Sequence, residues 1–375
     1  MTFFLIFLLS IYALAHAYFF HRVRAAYQPG RPATALLATL CSVLLLSAPL
    51  TRLLERDSPA LAAQLALVAF SWMALLFLFF TISFALEVLL VLSRFFLHGR
   101  PLPPAFFAHR TRLLLPLLLS VLICGYGSFE ARHIRVERLT LYSSKLASGT
   151  PPITIAMLSD VHLGLMTGPE RLANMLQHLA GERYDLLVLT GDTIDGPLRD
   201  REKLAALFRA QAPPLGTFAI TGNHEFYAGI EQCSDFFHLA GITLLRNRVI
   251  DAGPMLRLVG IDDPAVVRTG SGPPPSAAIL CPPAPERFTL LLQHRPVVLP
   301  ADFNVVDLQL SGHIHRGQIF PAVLLTRLFF QYPTGLTPLA DEKWLYVSRG
   351  IGTWGPAIRF LAPPELTLIT ISPEN

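Results

Sequence analysis

The sequence predicts an N-terminal α-helical membrane domain of about four spans, residues 1–130, followed by an α/β domain, residues 131–375. The hydrophobic content of 52%, the charged content of 15% and the mean hydropathy of +0.48 are too apolar for a purely soluble protein. The long uncharged runs are confined to the first part, while the second part has short apolar runs and scattered charge. The net charge of +4 comes from dispersed arginines, so no nucleic-acid partner is expected.

The apolar runs of the first part have the length of membrane spans, which need roughly 20 residues. The run at 60–93 is longer than one span needs, but it contains no Gly or Pro and therefore predicts one long helix. For the first run, Ala13-Leu14-Ala15 resembles a signal-peptide cleavage site. The lack of Lys or Arg ahead of this run and the spans that follow it argue against cleavage. The predicted spans are 2–20, 34–50, 60–93 and 113–129.

The arginines of the loops predict how these spans are oriented. Loops 21–33 and 94–112 carry seven arginines, whereas loop 51–59 and the segment after the last span carry five. The positive-inside rule then places the first and third loops in the cytoplasm. The expectation is a multi-pass plasma (inner) membrane protein whose large domain is periplasmic or extracellular. Cys233 and Cys281 of that domain could pair if it is exported, and nothing in their spacing decides this.

Five apolar runs of the second part end in residues that can bind a metal. The runs have the pattern of buried strands, and segments 169–180 and 201–210 between them have that of amphipathic helices. Because ligands of α/β folds bind beyond the carboxyl ends of the strands, these endings would converge on one pocket. The candidate ligands are Asp160, His162, Asp192, Asn223, His294, His313 and His315.

Seven donors suit two metal ions better than one, provided that one carboxylate bridges them. Two ions about 3.5–4 Å apart would clamp both oxygens of an in-line displacement at phosphorus and lower the pKa of bound water, so that a metal-bound hydroxide attacks. The mixed oxygen and nitrogen donors suit divalent or trivalent ions of manganese, iron or zinc. The alternative is that the five endings are unrelated turns, because Asp, Asn and Gly are common there.

In this order the endings resemble the signature of calcineurin-like metallophosphoesterases. The resemblance covers about residues 150–375, and the closing stretch 347–371 is similar to the bacterial membrane-associated subgroup. It implies a sandwich of two β-sheets flanked by helices, with a dinuclear site at one rim. It also implies that one metal binds Asp160, His162, Asp192 and His315, and the other Asp192, Asn223, His294 and His313. The matching motifs are Asp160-x-His162, Gly191-Asp192-x-x-Asp195, Gly222-Asn223-His224-Glu225, His294 and Gly312-His313-x-His315.

Two residues beside the ligands are candidates for supporting roles. His224 follows Asn223 directly and cannot easily reach the same metal, and in the family this position is the general acid. Asp195 is expected to orient local backbone or a ligand histidine.

Three arginines are candidates for contacts to the substrate phosphate. Arg316 stands where the subgroup usually has a small residue, and it either binds phosphate or points into solvent. Arg349 and Arg359 flank a glycine-rich turn, and for them salt bridges are an equal alternative.

These features predict a membrane-anchored phosphodiesterase or phosphatase. Some relatives act on phosphodiesters and some cleave UDP-2,3-diacylglucosamine, and the spans favour a lipid-linked or nucleotide-sugar phosphate as substrate. One alternative is a catalytically silent metal-binding sensor module on a membrane base. A transporter is disfavoured, because Glu87 is the one acid within the spans.

Overall fold

The fold is that of a computed structural model, which describes residues 2–55, 57–96, 103–282, 286–340 and 342–374. The chain divides into two compact units. The first comprises Met1–Phe129 with Gly355–Ile358, and the second comprises Glu130–Trp354 with Arg359–Asn375.

The first unit is helical, and three of its segments in the described part of the chain are long and apolar enough to cross a membrane. These segments are Arg31–Leu54, Pro59–Ser93 and His109–Glu130. Three of the four predicted spans are therefore found as helices long and apolar enough to cross a membrane. The first predicted span, 2–20, is helical, but the side chains of residues 2–8 lie outside the description. The helices are α1 (Thr2–Tyr27), α2 (Arg31–Leu54), α3 (Pro59–Phe96) and α4 (His109–Glu130).

Helix α3 confirms that residues 60–93 form one uninterrupted helix. It has 38 residues, and at 1.5 Å per residue it is about 57 Å long. The hydrocarbon core of a bilayer is roughly 30 Å thick, so α3 is long enough to extend well beyond it.

An ion-pair cluster joins α1, α3 and α4. Glu87 of α3 accepts hydrogen bonds from Nη2 of Arg22 and from Nε of Arg112, each at 2.9 Å. A partly buried carboxylate is compensated in this way by two guanidinium groups. Arg22 and Arg112 belong to the two loops predicted to be cytoplasmic, so the cluster brings these loops to one end of the unit. Arg94 and Arg100, which also count toward the predicted orientation, have side chains outside the described part of the structure.

Within the described residues, the second unit contains twelve strands in two six-stranded sheets. In chain order they are β1 (Arg135–Ser143), β2 (Ile153–Leu158), β3 (Leu186–Leu189), β4 (Thr217–Ala219), β5 (Thr243–Leu244), β6 (Arg248–Ala252), β7 (Leu256–Ile261), β8 (Phe288–Gln293), β9 (Leu308–Ser311), β10 (Gly335–Ala340), β11 (Lys343–Val347) and β12 (Glu365–Pro373).

Both sheets are mixed, which confirms the predicted α/β domain with two sheets. The strand orders are β1-β12-β2-β3-β4-β5 and β10-β11-β9-β8-β7-β6. In the first sheet β2, β3, β4 and β5 run parallel. In the second sheet β11, β9, β8 and β7 run parallel, between the antiparallel edge strands β10 and β6.

The two sheets share an apolar core, and helices cover the outer face of the first sheet. Because side chains alternate along a strand, Ile155 and Met157 of β2 enter the core between the sheets, while Ala156 and Leu158 pack among the helices. Burial on both faces explains why these strands have continuous apolar sequences. The predicted helices are confirmed as α5 and α6. The α-helices in the described part of this unit are α5 (Pro169–Leu176), α6 (Arg201–Arg209), α7 (Asn223–Ala228), α8 (Ile230–Leu239), α9 (Ala277–Leu280) and α10 (Ala322–Phe329).

The four cysteines of the chain are free thiols. Cys233 packs with the helices on the first sheet, whereas Cys281 belongs to a separate apolar cluster outside the second sheet. The disulfide that the sequence left open is therefore not formed.

Candidate metal centre

The candidate ligands follow the carboxyl ends of five strands, three in the first sheet (β2, β3 and β4) and two in the second (β8 and β9). Hydrogen bonds join the two sheets at this edge. Nδ1 of His294, after β8, lies 2.9 Å from the carbonyl oxygen of Thr190, after β3. The backbone N–H of His313, after β9, donates to both carboxylate oxygens of Asp160, after β2, at 3.1 Å. The sandwich thus brings together side chains from distant parts of the sequence.

One group of donors consists of Asp160, His162 and His315. Nε2 of His315 lies 3.2 Å from Oδ1 of Asp160 and 3.1 Å from Nε2 of His162. All three residues are buried, and one ligand atom from each lies within 4.8 Å of the others. The group has the size and the mixed oxygen and nitrogen donors that a metal ion needs.

A second group consists of Asp192, His294 and His313. Nε2 of His294 lies 3.1 Å from Oδ2 of Asp192 and 3.2 Å from Nδ1 of His313. Nδ1 of His294 donates to the carbonyl oxygen of Thr190, which leaves Nε2 directed at the other two donors. A carbonyl that orients the far side of an imidazole is typical of ligand histidines.

Two buried atoms without hydrogen-bond partners test whether these residues fit metal ions. Oδ1 of Asn223 and Nδ1 of His162 are both shielded from solvent, and neither has a partner within the described residues. Buried polar atoms are nearly always satisfied, so an unpaired amide oxygen at a cluster of donors indicates a missing ligand interaction. The orphaned Asn223 oxygen and the two donor groups fit bound metal ions.

Five of the seven candidate ligands have backbone conformations that are unfavourable for residues other than glycine. Positive φ angles of this kind cost energy and concentrate at functional sites. The strands end abruptly here, and each turn directs a side chain into the site. The five are Asp160 (φ 55°), His162 (φ 53°), Asp192 (φ 50°), His313 (φ 73°) and His315 (φ 45°).

Two glycines of the motifs leave room for the carboxylates. A Cβ atom on Gly222 would lie 2.1 Å from Oδ1 of Asp192. On Gly312 it would lie 1.9 Å from Oγ of Ser159 and 2.3 Å from Oδ2 of Asp160. Both glycines are therefore required by the close approach of the backbone to the site.

The electrostatics of the site keep both carboxylates ionised. Burial raises the pKa of Asp160, but the charge and hydrogen bond of His315 outweigh it and hold the pKa below its usual range. Asp192 has a lowered pKa for the same reason, with His294 as the main partner. Burial and neighbouring positive charge lower the pKa of His162 to about 3 and that of His313 to about 4, so both are neutral donors.

His224 and Asp195 form a pair beside these groups. Nδ1 of His224 lies 2.5 Å from Oδ1 of Asp195, and Nε2 of His224 lies 4.0 Å from Oδ2 of Asp192. The imidazole ring stands edge-to-face against His162, with ring centroids 4.8 Å apart. Burial lowers the pKa of His224, but the charges of Asp192 and Asp195 prevail and raise it to about 9. Asp195, which we expect to orient local backbone or a ligand histidine, thus contacts and orients His224.

Glu225 supports the site in a way that sequence reasoning missed. Its fully buried carboxylate accepts hydrogen bonds from four backbone N–H groups, those of Asp192, Thr193, Ile194 and Gly222, at 2.7–3.1 Å. Burial and the charge of Asp192 raise its pKa to about 7, against the effect of these donors. The motif Gly-Asn-His-Glu therefore fixes the loop that carries Asp192.

Arg359 and Arg349 are held by the protein. Arg359 is fully buried; its guanidinium donates to four backbone carbonyls and has Nη2 3.2 Å from Nδ1 of His315. Burial lowers its pKa to about 9. Arg349 forms ion pairs with Glu137 at 2.5 Å and with Glu365 at 2.8 Å. Of the two alternatives for Arg349, the structure has the salt bridges.

Arg316 is exposed and forms no ion pair or hydrogen bond through its side chain within the described residues. It has a left-handed backbone conformation, with φ of 52°. Together with Arg349 it lines a cavity of about 150 Å³ next to the loop of His313 and His315. Three arginines are candidates for binding the substrate phosphate. Among the described residues, Arg316 is the one of them whose guanidinium has no ion pair or hydrogen bond.

Two exposed aromatic rings border the site at His224, and no sequence pattern pointed to either. The centroid of Tyr227 lies 5.4 Å and that of Trp354 lies 6.1 Å from the His224 ring. Both are about half exposed. Tyr227 also lies under the guanidinium of Arg268, at 4.5 Å.

The chain is similar in sequence to known metallophosphoesterases. The family model described as calcineurin-like phosphoesterase matches residues 153–317. An uncharacterized metallophosphoesterase of Aquifex aeolicus (strain VF5) is 36% identical over 257 residues, which cover 68% of this chain and 98% of that protein. A transmembrane protein with metallophosphoesterase domain from Danio rerio is 28% identical over 273 residues, 69% of this chain and 62% of that protein. Among solved structures, a 5'-nucleotidase precursor from Thermus thermophilus has a TM-score of 0.35 and 16% identity, and the match covers 59% of this chain and 55% of that chain.

Proposed function

Because the chain belongs to the calcineurin-like metallophosphoesterase family and is a metal-dependent phosphoesterase, we propose that it hydrolyses its substrate at a centre of two metal ions. The observation that carries this proposal is the division of the donors into two groups. Asp160, His162 and His315 form one, and Asp192, His294 and His313 form the other. A third group, His162, Asp195 and His224, shares His162 with the first and contains the hydrogen-bonded His224–Asp195 pair. One group would be enough for a single ion, so two separate groups support a pair.

Asp192 is the candidate for the bridging ligand. Its Oδ2 faces His294 of the second group, and its Oδ1 accepts the backbone N–H of His224 at 2.9 Å. The backbone N–H of His162, of the first group, donates to the carbonyl oxygen of Asp192 at 3.0 Å, so Asp192 also neighbours the first group. Asn223 would complete the second site through its orphaned Oδ1.

The residues around the donors have separate roles in this proposal. Bound ions would polarise the phosphoryl group and lower the pKa of water for in-line attack. His224 donates a proton to the leaving oxygen from Nε2, because Nδ1 is engaged by Asp195. Glu225 keeps the Asp192 loop in place, and Arg316 is positioned to contact a phosphate oxygen from the rim.

A lipid-borne phosphate is the substrate class that the membrane helices favour. Three helices long and apolar enough to cross a membrane tie the enzyme to a bilayer, where phosphate headgroups are abundant. The arginine count of the loops supports an inner-membrane protein with a periplasmic or extracellular catalytic domain.

The alternative, a catalytically silent metal-binding sensor, would need the same ligands but not the acid. The short bond between His224 and Asp195 fixes an imidazole whose Nε2 faces the site, 4.0 Å from Oδ2 of Asp192. Hydrolysis needs such an oriented proton donor, whereas passive metal binding does not. This pair therefore favours the enzyme.

The test is hydrolysis of a chromogenic phosphodiester by the detergent-solubilised full chain with Mn²⁺, with bound metal measured in parallel. Asp192→Asn should lose turnover and bind less metal, whereas His238→Ala, a change at an exposed histidine of α8, should match the wild type. Metal binding by the wild type without hydrolysis of any diester or monoester would favour the sensor. Near-normal turnover of Asp192→Asn would rule out a bridging role for this carboxylate.

A further inference from the structure

Helix α10 exposes apolar side chains that a helix of a globular domain would bury. None of its eight residues is buried. Leu328 and Phe329 have 77% and 80% of their surface exposed, and Leu324 and Leu325 have 54% and 55%. Helix α5, also of eight residues, instead buries Leu172, Met175 and Leu176. Contiguous exposed apolar surface of this kind indicates an interaction site.

The opposite face of α10 closes an arginine-lined cavity. Val323, Thr326 and Arg327, which share one side of the helix, line the cavity of about 150 Å³ together with Arg316 and Arg349. Arg349 is neutralised by Glu137 and Glu365. In the described part of the chain, neither Arg316 nor Arg327 has a side-chain ion pair, so two uncompensated positive charges lie beside the apolar surface.

An apolar surface bordered by free arginines matches the chemistry of a bilayer interface. Interfacial helices place Leu and Phe among the acyl chains and Arg at the headgroups. The negative surface potential of an anionic membrane attracts such cations. The same chain has three helices long and apolar enough to cross a membrane, and such spans would tether the domain to a bilayer.

We propose that α10 is a membrane-docking element. The side chains of Leu324, Leu325, Leu328 and Phe329 enter the interfacial region of the bilayer, while Arg316 and Arg327 bind lipid phosphate groups at the cavity. This docking would present the neighbouring His313–His315 loop to the membrane surface. The inference shares Arg316 with the proposed function, but it concerns binding to membrane lipid, and its readout does not depend on turnover at the metal centre.

The test places a fluorescent probe on α10 in the full-length protein. Leu328→Cys is labelled with an environment-sensitive dye and reconstituted in vesicles of phosphatidylcholine and phosphatidylglycerol. Ile279→Cys is the matched control, because Ile279 of α9 is a single exposed apolar residue, 78% accessible. The native cysteines of the catalytic unit, Cys233 and Cys281, are buried, and label on the unsubstituted protein is subtracted.

Docking predicts a blue-shifted emission at position 328 and quenching by lipid-attached quenchers at least about twofold stronger than at position 279. Equal quenching by aqueous iodide at both positions would overturn the proposal. Protection from iodide without lipid quenching would also overturn it, since another protein or a second copy would then cover α10.

The arginine contribution is measured by comparison with vesicles of phosphatidylcholine alone. Quenching at position 328 should be stronger with anionic lipid, and Arg316→Gln/Arg327→Gln should abolish this difference. A double change of two exposed arginines elsewhere in the unit, Arg183→Gln/Arg199→Gln, alters the net charge equally and should preserve it. If both pairs had the same effect, specific binding of lipid phosphate by Arg316 and Arg327 would be excluded.

Discussion

The Nδ1 atom of His224 lies 2.5 Å from Oδ1 of Asp195. In this bond Nδ1 of His224 donates its proton to Oδ1 of Asp195. The other ring nitrogen, Nε2, is left directed toward the site, 4.0 Å from Oδ2 of Asp192. A histidine oriented by a carboxylate is a suitable proton donor, and its role can be separated from that of the metal ligands.

We expect His224→Ala to keep its metals but lose rate. General acid catalysis contributes typically 10²–10⁴-fold, and the loss should appear with diesters whose leaving groups are basic alkoxides. Activated aryl esters, whose leaving groups need no proton, should lose much less. Metal content and kcat for both substrate types check this. Loss of metal from the variant would instead make His224 a ligand, and equal losses on both substrates would indicate electrostatic stabilisation.

The rate with alkoxide leaving groups should depend on pH through His224. Its pKa is raised to about 9, so the proton is present below this value and is lost as the pH rises through it. Bound cations would offset the charge of Asp192, and the descending limb is therefore expected somewhat below pH 9. Asp195→Asn removes a negative charge that raises the pKa of His224, so it should shift this limb of the kcat/KM profile to lower pH. If the limb did not move, Asp195 would not be the residue that raises the pKa of His224.

Metal uptake by the metal-free protein should release protons. Burial lowers the pKa of His294, but the charge of Asp192 raises it to about 10, so this ligand is protonated at neutral pH when no cation is bound. A metal competes with that proton, and affinity should rise as the pH rises toward 10. Calorimetry at pH 7 in two buffers of different ionisation enthalpy measures the protons released. Identical heats in both buffers would contradict the assignment of His294 as a ligand.

Glu225→Gln should loosen the loop that carries Asp192. The amide keeps one acceptor oxygen but directs an NH₂ group at backbone N–H donors, and each buried group left unpaired costs about 1–3 kcal/mol. We expect a lower Tm and weaker metal binding, measured by thermal unfolding and metal titration. Glu231→Gln, at an exposed residue in the first turn of α8, is the control. Wild-type metal affinity in Glu225→Gln would show that the four hydrogen bonds are dispensable for the site.

The membrane orientation predicts the behaviour of reporter fusions. A reporter after β12 should be non-cytoplasmic, and one inserted in the 101–108 loop should be cytoplasmic, because the arginine-rich loops are retained inside. Alkaline phosphatase and fluorescent-protein fusions, active on opposite sides of the membrane, measure this. The reverse pattern would mean that the protein has the opposite orientation or a different number of spans.

The chemistry of the site was readable from the sequence, because each motif is local. A buried strand has an apolar run that stops at the edge of the sheet, so the residue that follows the run can be recognised as lying at that edge. Asp160, Asp192 and His294 were found in this way, and the structure brings them to one edge. The uninterrupted helix over 60–93 was equally predictable from the absence of Gly and Pro.

The tertiary structure alone decided which side chains are engaged and which are free. Arg349 and Glu137 are 212 residues apart in the chain, and no local pattern indicates that they pair. The burial of Arg359, the four bonds to Glu225 and the outward apolar face of α10 are likewise long-range results. Sequence periodicity shows that a helix has an apolar face, but whether protein covers that face depends on packing between distant segments. Among the described residues, this packing leaves α10 exposed beside Arg316 and Arg327, whose side chains form no ion pair there.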